Sequence, residues 1–281
     1  MAELETLAHG YGLLEGPRVD EQGNLYFSDV PNGGVHRRSP DGRIETVIPK
    51  RRGVGGIALH ADGGLVVGGR NICHVVDGET RILFETDALS FNDLMPDARG
   101  RIITGTIRSD PFDEAGPRVA GEAYRIELDG SVVQLYDGVG LTNGIGFSPA
   151  GDRLYHADTG SQHVICHDVE TIDGEERLTN RRALRPFDDF LPDGLAVDDA
   201  GTIWVADFGV GAVIGMSPDG DEVGRIDVPS QAVTSLCFGG PDRRDLYIVT
   251  ADNTDDPSRQ GTIFRTRVEV PGVPVPLARV P

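Results

Sequence analysis

The chain has 281 residues, 45 of them acidic and 26 basic, for a formal net charge of −19. Such a surface repels nucleic acid and anionic membranes, which are recognised through Lys and Arg clusters, and Lys50-Arg51-Arg52 is too short and isolated to reverse that. No apolar run approaches the ~18 residues that would suggest a membrane span, and the N-terminus lacks the basic-then-apolar pattern of a secretory signal.

Cys73, Cys166 and Cys237 lie far apart, each in or beside an apolar run. Buried free thiols are expected rather than a disulfide framework or a cysteine-rich metal site, and with them a cytoplasmic protein. The 38 glycines and 18 prolines are spread between short apolar runs. That is the composition of an all-β protein with many turns.

In chain order, residues 4–8 form an apolar stretch with no repeat unit of its own. A phrase then begins at Gly23–Asp29, a turn residue followed by an apolar run, and returns at 63–69, 100–106, 152–158, 201–207 and 244–250. The copies lie roughly 40 to 50 residues apart, the spacing of propeller blades. A shorter apolar run precedes each copy, for example Gly56–His60 and Gly194–Asp198, and another follows, for example Ile72–Val76 and Ala212–Met216. Asp-Gly turns often come next, and a fourth run completes most units, since Gly accepts the positive φ of a tight hairpin. Four strands in six units predict an all-β, six-bladed β-propeller spanning residues 1–281 as one domain. The sixth unit lacks a fourth strand, so residues 4–8 are expected to close the ring. The proline-bearing segment 271–281 is expected to be a surface tail. A β-sandwich or two smaller barrels would not require the regular six-fold phrase.

The residue just before each innermost run is, in order, Glu15, Gly55, Asn92, Asn143, Asp193 and Thr234. In a propeller these positions converge near the central channel. Glu15, Asn92, Asn143 and Asp193 would present two carboxylates and two carboxamides around one point. Hard oxygen donors of that kind suit Ca²⁺ or Mg²⁺; Mn²⁺ or Zn²⁺ would also fit, although the ring holds no His or Cys. Asp, Asn and Gly before a strand are also ordinary turn residues. Their coincidence at one repeat position, with Glu15 among them, favours a site.

These residues carry a family resemblance. Glu15-Gly-Pro17, Asn92-Asp93 with Asp97 and Gly100-Arg101, Asn143-Gly144 with Ser148-Pro149, Pro192-Asp193-Gly194 and Trp204-Val-Ala206 are similar to the SMP-30/gluconolactonase/regucalcin-like family. Cys237–Gly240 and Gly261–Phe264 extend the likeness to nearly the whole chain. The resemblance implies a hydrolase of sugar lactones and related esters. It implies a divalent ion, often calcium, held by Glu15, Asn143 and Asp193, with Asp193 as general base and Asn92 on the substrate or, in phosphotriesterase-like members, on the metal. One departure is Ser90, which stands where sugar-lactone members of the animal regucalcin type carry an Arg. Phe91 beside it is expected to line a less sugar-like pocket. Glu122 lies beside the family's substrate-contacting acidic position, and Arg108, in the 107–121 loop, is a candidate replacement for the missing Arg.

The expected reaction is opening of a small lactone or ester to a hydroxy acid, with no nucleophilic Ser or Cys required. Phosphotriester hydrolysis, or a calcium-binding propeller without enzymatic activity, are the alternatives. A monomer or small homo-oligomer is expected. His156 and Trp204 read as packed, hydrogen-bonded or core residues. Asp158 and Asp207 read equally as turn caps or as supports of the site. The acidic run 251–260 lacks the Gly and terminal Glu of an EF-hand loop.

Overall fold

Alternating small and apolar residues with turn signals every few positions leave the chain one economical way to bury its apolar faces, which is as stacked four-stranded sheets. The computed structural model describes residues 3–113 and 115–281. The first two residues of the N-terminal sequence and position 114 of the 107–121 loop lie outside them.

The closing strand β1 (Glu5–Tyr11) comes first. Blade one is β2 (Leu14–Val19), β3 (Leu25–Asp29), β4 (Val35–Arg38) and β5 (Ile44–Ile48), and blade two is β6 (Ile57–Leu59), β7 (Leu65–Val67), β8 (Ile72–Val76) and β9 (Glu79–Phe84). Blade three is β10 (Ser90–Pro96), β11 (Ile102–Ile107), β12 (Gly121–Ile126) and β13 (Val132–Val139). Blade four is β14 (Thr142–Phe147), β15 (Arg153–Asp158), β16 (His163–Ile172) and β17 (Glu175–Leu184). Blade five is β18 (Pro192–Val197), β19 (Ile203–Asp207), β20 (Ala212–Met216) and β21 (Glu222–Asp227), and blade six holds β22 (Val233–Gly239), β23 (Asp245–Thr250) and β24 (Gly261–Arg267).

Each blade is a four-stranded antiparallel sheet, and the sixth has the order β1-β24-β23-β22. The N-terminal strand therefore supplies the missing outer strand, pairing Thr6 with Phe264. Chain closure of this kind removes the open edges of a linear array. The core lies between neighbouring blades. Tyr155, Val164 and Cys166 of blade four pack against Leu195, Val205 and Ile214 of blade five. Each fully buried aliphatic side chain of this kind contributes about 1.5–3 kcal/mol. All three cysteines are buried and free.

Backbone hydrogen bonds hold the tail against the blades. Asp199 N–H donates to Pro271 O, Val273 N–H to Val197 O, Ala278 N–H to Leu59 O and Arg279 N–H to Gly100 O. Gly272, Ala278 and Val280 are buried. The segment is thus a strap, anchored at blades five and six and again at blades two and three. It crosses the end of the channel where the inner strands finish. Val273 and Pro276 border a cavity of about 760 Å³ there, with Leu59, Met95, Phe147 and Leu236 on its other walls. Among the described residues, no helix is long and apolar enough to cross a membrane.

Candidate functional site

The innermost strands contact one another around the ring, and five of them, β22 at Thr234 included, are irregular at the positions singled out by the repeat. In β10, Phe91 pairs with Thr106 and Leu94 with Thr104, so Asn92 and Asp93 together oppose Gly105. In β14, Asn143 and Gly144 oppose Ala157 between the pairs Thr142–Asp158 and Ile145–His156. In β18, Asp193 and Gly194 oppose Ala206 in the same way. In β2 the irregularity follows Glu15, whose partner is Ser28. Two residues opposite one make a β-bulge, which bends the strand and re-aims a side chain. Here it frees polar side chains from the apolar face between blades.

A direct bond joins two of these positions, and a threonine links the second to the residue before a third. Asn92 Nδ2 donates to Asn143 Oδ1 at 3.0 Å and to Thr142 O at 2.9 Å. Asn143 Nδ2 donates to Thr159 Oγ1 at 3.0 Å, and that hydroxyl donates to Pro192 O at 2.6 Å, one residue before Asp193. The two odd members of the ring have other tasks. A Cβ on Gly55 would lie 1.8 Å from Asn92 Oδ1, so Gly55 leaves the space that the carboxamide fills. Thr234 Oγ1 donates to Leu14 O at 2.6 Å, tying blade six to blade one.

Glu15, Asn143 and Asp193 are buried, and Asn92 is half-buried. Burial pushes the Glu15 carboxyl well above the usual carboxylate range, and the charges of Asp193 and Asp93 push the same way. The Asp193 carboxyl is likewise raised, first by burial and then by Asp93 and Asp207. Asp93 is compensated: Arg18 lies 3.4 Å from its Oδ1, with both side chains only 6% exposed, and Leu94 N–H donates to the same oxygen at 2.8 Å. The Arg18 charge offsets only a minor part of the shift at Glu15, and among the described residues Asp193 Oδ1 is buried without any hydrogen-bond partner.

Among the described residues, no group of three or more His, Cys, Asp or Glu side chains gathers as a metal centre. The donor set nevertheless fits a hard divalent cation. Burial and neighbouring carboxylates raise both Glu15 and Asp193, and one Asp193 oxygen is orphaned among the described residues. An orphaned buried oxygen is costly unless something else satisfies it.

The remaining candidates separate. Phe91 does not line a pocket. It is 1% exposed and packs with Ala58, Val66, Ile72 and Leu94, its ring 5.1 Å from that of Phe84. Strand alternation turns it between the blades, whereas the bulge releases Asn92 toward the channel. Ser90 is half-buried and pairs with Ile107 across β10 and β11. Arg108 follows Ile107 directly, and its Nε donates to both carboxylate oxygens of Glu122 at 2.8 and 2.9 Å while NH1 meets Asp87 at 3.0 Å. Thr106 Oγ1 also donates to Glu122, at 2.6 Å.

Asp158 and Asp207 brace the loops that lead into the inner strands. Asp158 accepts from the N–H groups of Gly140, Leu141 and Ser161, and Asp207 from those of Leu191, Gly209 and Val210. The acidic run 251–260 is occupied in the same manner: Asp252 accepts from Ser230, Gln231 and Ala232, and Asp256 caps the short 3₁₀ turn Pro257–Arg259. Trp204 is half-buried and donates to Asp198 Oδ2 at 2.9 Å.

Sequence reasoning missed Arg18, Thr159 and the structural role of Asp93. Arg18 carries a signal, a charged residue at the third position after Glu15 in a short strand of mostly buried residues.

The sequence matches the family described as "SMP-30/Gluconolactonase/LRE-like region" over residues 13–252. A pentonolactonase of Haloferax volcanii is 34% identical, with 93% of each chain covered. A 6-deoxy-6-sulfogluconolactonase of Pseudomonas putida is 34% identical, with 90% of each covered. Among solved structures, a luciferin-regenerating enzyme superposes with a TM-score of 0.85 at 26% identity, covering 99% of this chain and 100% of that one.

Proposed function

The chain belongs to the SMP-30/gluconolactonase/LRE-like family, and from that premise we propose that it is a divalent-metal-dependent hydrolase that opens a small lactone to a hydroxy acid. Family membership and the lactonase relatives support lactonase or esterase chemistry in general. The observation that carries the finer reading is Asp193, a buried carboxylate with an unpartnered oxygen whose charge acts on Glu15 and whose preceding residue, Pro192, is linked through Thr159 to Asn143.

In this reading Glu15, Asn143 and Asp193 hold the ion, and Ca²⁺ or Mg²⁺ suits their oxygens. A bound divalent ion would supply Lewis-acid polarisation of the lactone carbonyl. The protein residues do the rest. Asn92, fixed against Asn143 and Thr142, orients the substrate from the channel side. Asp193 accepts a proton from the attacking water. The water oxygen bonds to the carbonyl carbon, the ring C–O bond breaks, and the freed alkoxide takes the proton from Asp193 to give the hydroxyl of the product and restore the carboxylate.

Specificity rests on the mouth of the channel. Arg108 follows Ile107, the strand partner of Ser90, and Glu122 and Asp87 hold its guanidinium. We assign it to the hydroxyl groups of a polar lactone, as the counterpart of the Arg that Ser90 replaces. The test is a panel of lactones, aryl esters and an aryl phosphotriester, followed by proton release in EDTA and after addition of single divalent ions. Lactone turnover that disappears in EDTA, returns with one ion and is lost in Asp193→Asn is the expected result. Turnover unchanged by complete metal removal and by Asp193→Asn would overturn the reading.

A further inference from the structure

His156 occupies a position in the repeated phrase where Phe27, Val67, Val205 and Ile248 stand in other blades. It is wholly buried, and a buried imidazole is costly unless it is hydrogen-bonded. Both ring nitrogens have partners. Nδ1 lies 2.7 Å from the Tyr136 hydroxyl, and Nε2 lies 2.6 Å from the Thr142 hydroxyl. Burial lowers the His156 pKa to about 4. The ring is therefore neutral at ordinary pH, with one donor nitrogen and one acceptor, and hydroxyl partners satisfy either tautomer.

The three side chains come from different layers. Tyr136 lies on β13, the outer strand of blade three, His156 on β15 and Thr142 on β14. Tyr136 is itself held, with the His167 ring 4.5 Å away and the Arg181 guanidinium 5.4 Å from its centroid. At the inner end, Thr142 Oγ1 would lie 2.0 Å from a Cβ on Gly105, so the threonine is seated against the residue opposite the Asn92 bulge. The carbonyl of the same threonine accepts the Asn92 amide, and the next residue, Asn143, accepts it too. A relay of short bonds thus runs from the outer edge of blade three to the backbone that orients Asn92.

We propose that His156 is a positioning residue: it fixes Thr142 so that the Thr142 carbonyl and Asn143 Oδ1 hold the Asn92 carboxamide in the channel. Its consequence for turnover rests on the hydrolase reading above; its consequence for the geometry of Asn92 does not. Of the five equivalents, four are apolar and the fifth is Thr104, which bonds its own inner strand at Asp93 O, so packing alone asks for no imidazole at this position. An imidazole with two hydroxyl partners instead sets the distance between blades three and four where their two carboxamides meet.

Two pairs of variants of the full chain test it. His156→Gln places an amide near the Nε2 position and keeps the bond to Thr142, whereas His156→Asn reaches only the Nδ1 side, toward Tyr136. Thr142→Ser keeps the hydroxyl, and Thr142→Val removes it. The first readout is the Asn92 side-chain amide cross-peak in ¹H–¹⁵N spectra, identified by its loss in Asn92→Asp. The expected pattern is a shifted or broadened cross-peak in His156→Asn and Thr142→Val but not in His156→Gln and Thr142→Ser. Comparing Gln with Asn cancels the loss of the imidazole ring current. The second readout is lactone turnover, where kcat falls about tenfold to hundredfold in the first two variants with KM little changed and is rescued in the others. Should His156→Asn fail to fold, the threonine pair carries the same comparison. An Asn92 cross-peak that responds equally to both members of each pair, or a kcat that only follows Tm, would overturn the proposal. A wild-type chain inactive on every lactone would refute the hydrolase reading, and the cross-peak comparison would still decide the role of His156.

Discussion

Asn92 donates from Nδ2 to Oδ1 of Asn143 across 3.0 Å, joining residues 51 positions apart in the chain and on adjacent blades. Each asparagine stands at a bulge in its inner strand. The bond therefore makes the relative placement of two blades part of the geometry of the channel. A change that shifts either bulge is expected to act on the candidate site without touching a carboxylate.

Gly55→Ala is such a change. Its Cβ would meet Asn92 Oδ1 at 1.8 Å, so the carboxamide must swing away. Overpacking of this kind costs about 1–3 kcal/mol. Lactone turnover is expected to fall well beyond what that loss of stability explains. Parallel measurement of Tm and kcat/KM checks this, and an active Gly55→Ala enzyme would count against the placement of Asn92.

Asp193→Asn keeps the shape of the side chain and removes the base. If Asp193 accepts the proton of the attacking water, kcat should fall by about a hundredfold or more. Glu15→Gln is expected to weaken ion binding first, so that added divalent ion restores part of its activity but none of that of Asp193→Asn. Turnover titrated against ion concentration separates the two.

The carboxyl pair also sets a pH dependence of stability. Glu15 and Asp193 titrate in the folded chain above their ordinary values of 4.5 and 3.8. Between those values and the raised ones, the folded chain holds more protons than the unfolded chain. Their contribution to stability is thus full below about pH 4 and is lost as pH rises through the folded pKa values. In EDTA, Tm is expected to decline over that interval, and the double variant Glu15→Gln/Asp193→Asn should flatten the decline. Saturating divalent ion should raise Tm more at pH 7 than at pH 4. Thermal unfolding across pH in EDTA and in excess ion provides the measurement.

Arg18 and Asp93 form a buried pair directly beside these carboxylates. Removing one partner leaves an uncompensated buried charge, which costs about 3–5 kcal/mol. Arg18→Met is expected to lose that much, and Arg18→Met/Asp93→Asn to recover most of it. Denaturant unfolding of the two variants and of Asp93→Asn gives the coupling, and equal stability of the single and double variants would refute it.

Arg108 tests substrate preference. Its guanidinium is held by Glu122 and Asp87 at the end of β11. Arg108→Ala is expected to raise KM about tenfold for a polyhydroxylated lactone, the loss of one charge-assisted hydrogen bond, and to leave an unsubstituted alkyl lactone unaffected. Equal effects on both substrates would assign Arg108 a structural role only.

Much of this was readable without coordinates because it depends on local pattern. Period-two apolar runs, Asp-Gly turns and a phrase returning at blade spacing determine the six four-stranded sheets. The unpaired stretch at residues 4–8 similarly determines that the N-terminus closes the ring, since an outer strand was missing from the last unit. Repeat equivalence singled out Glu15, Asn92, Asn143 and Asp193 as one set of inner-strand positions. What the tertiary structure decided is which neighbour each side chain meets. The bulge opposite Gly105 turns Asn92 inward while Phe91 remains between blades. Asp93 is neutralised by an arginine 75 residues away, and the C-terminal segment becomes a strap because carbonyls and amides of distant blades receive it. Bulge placement, charge compensation and docking of a tail are contacts between segments remote in sequence, whose free energies exist only once the ring is closed.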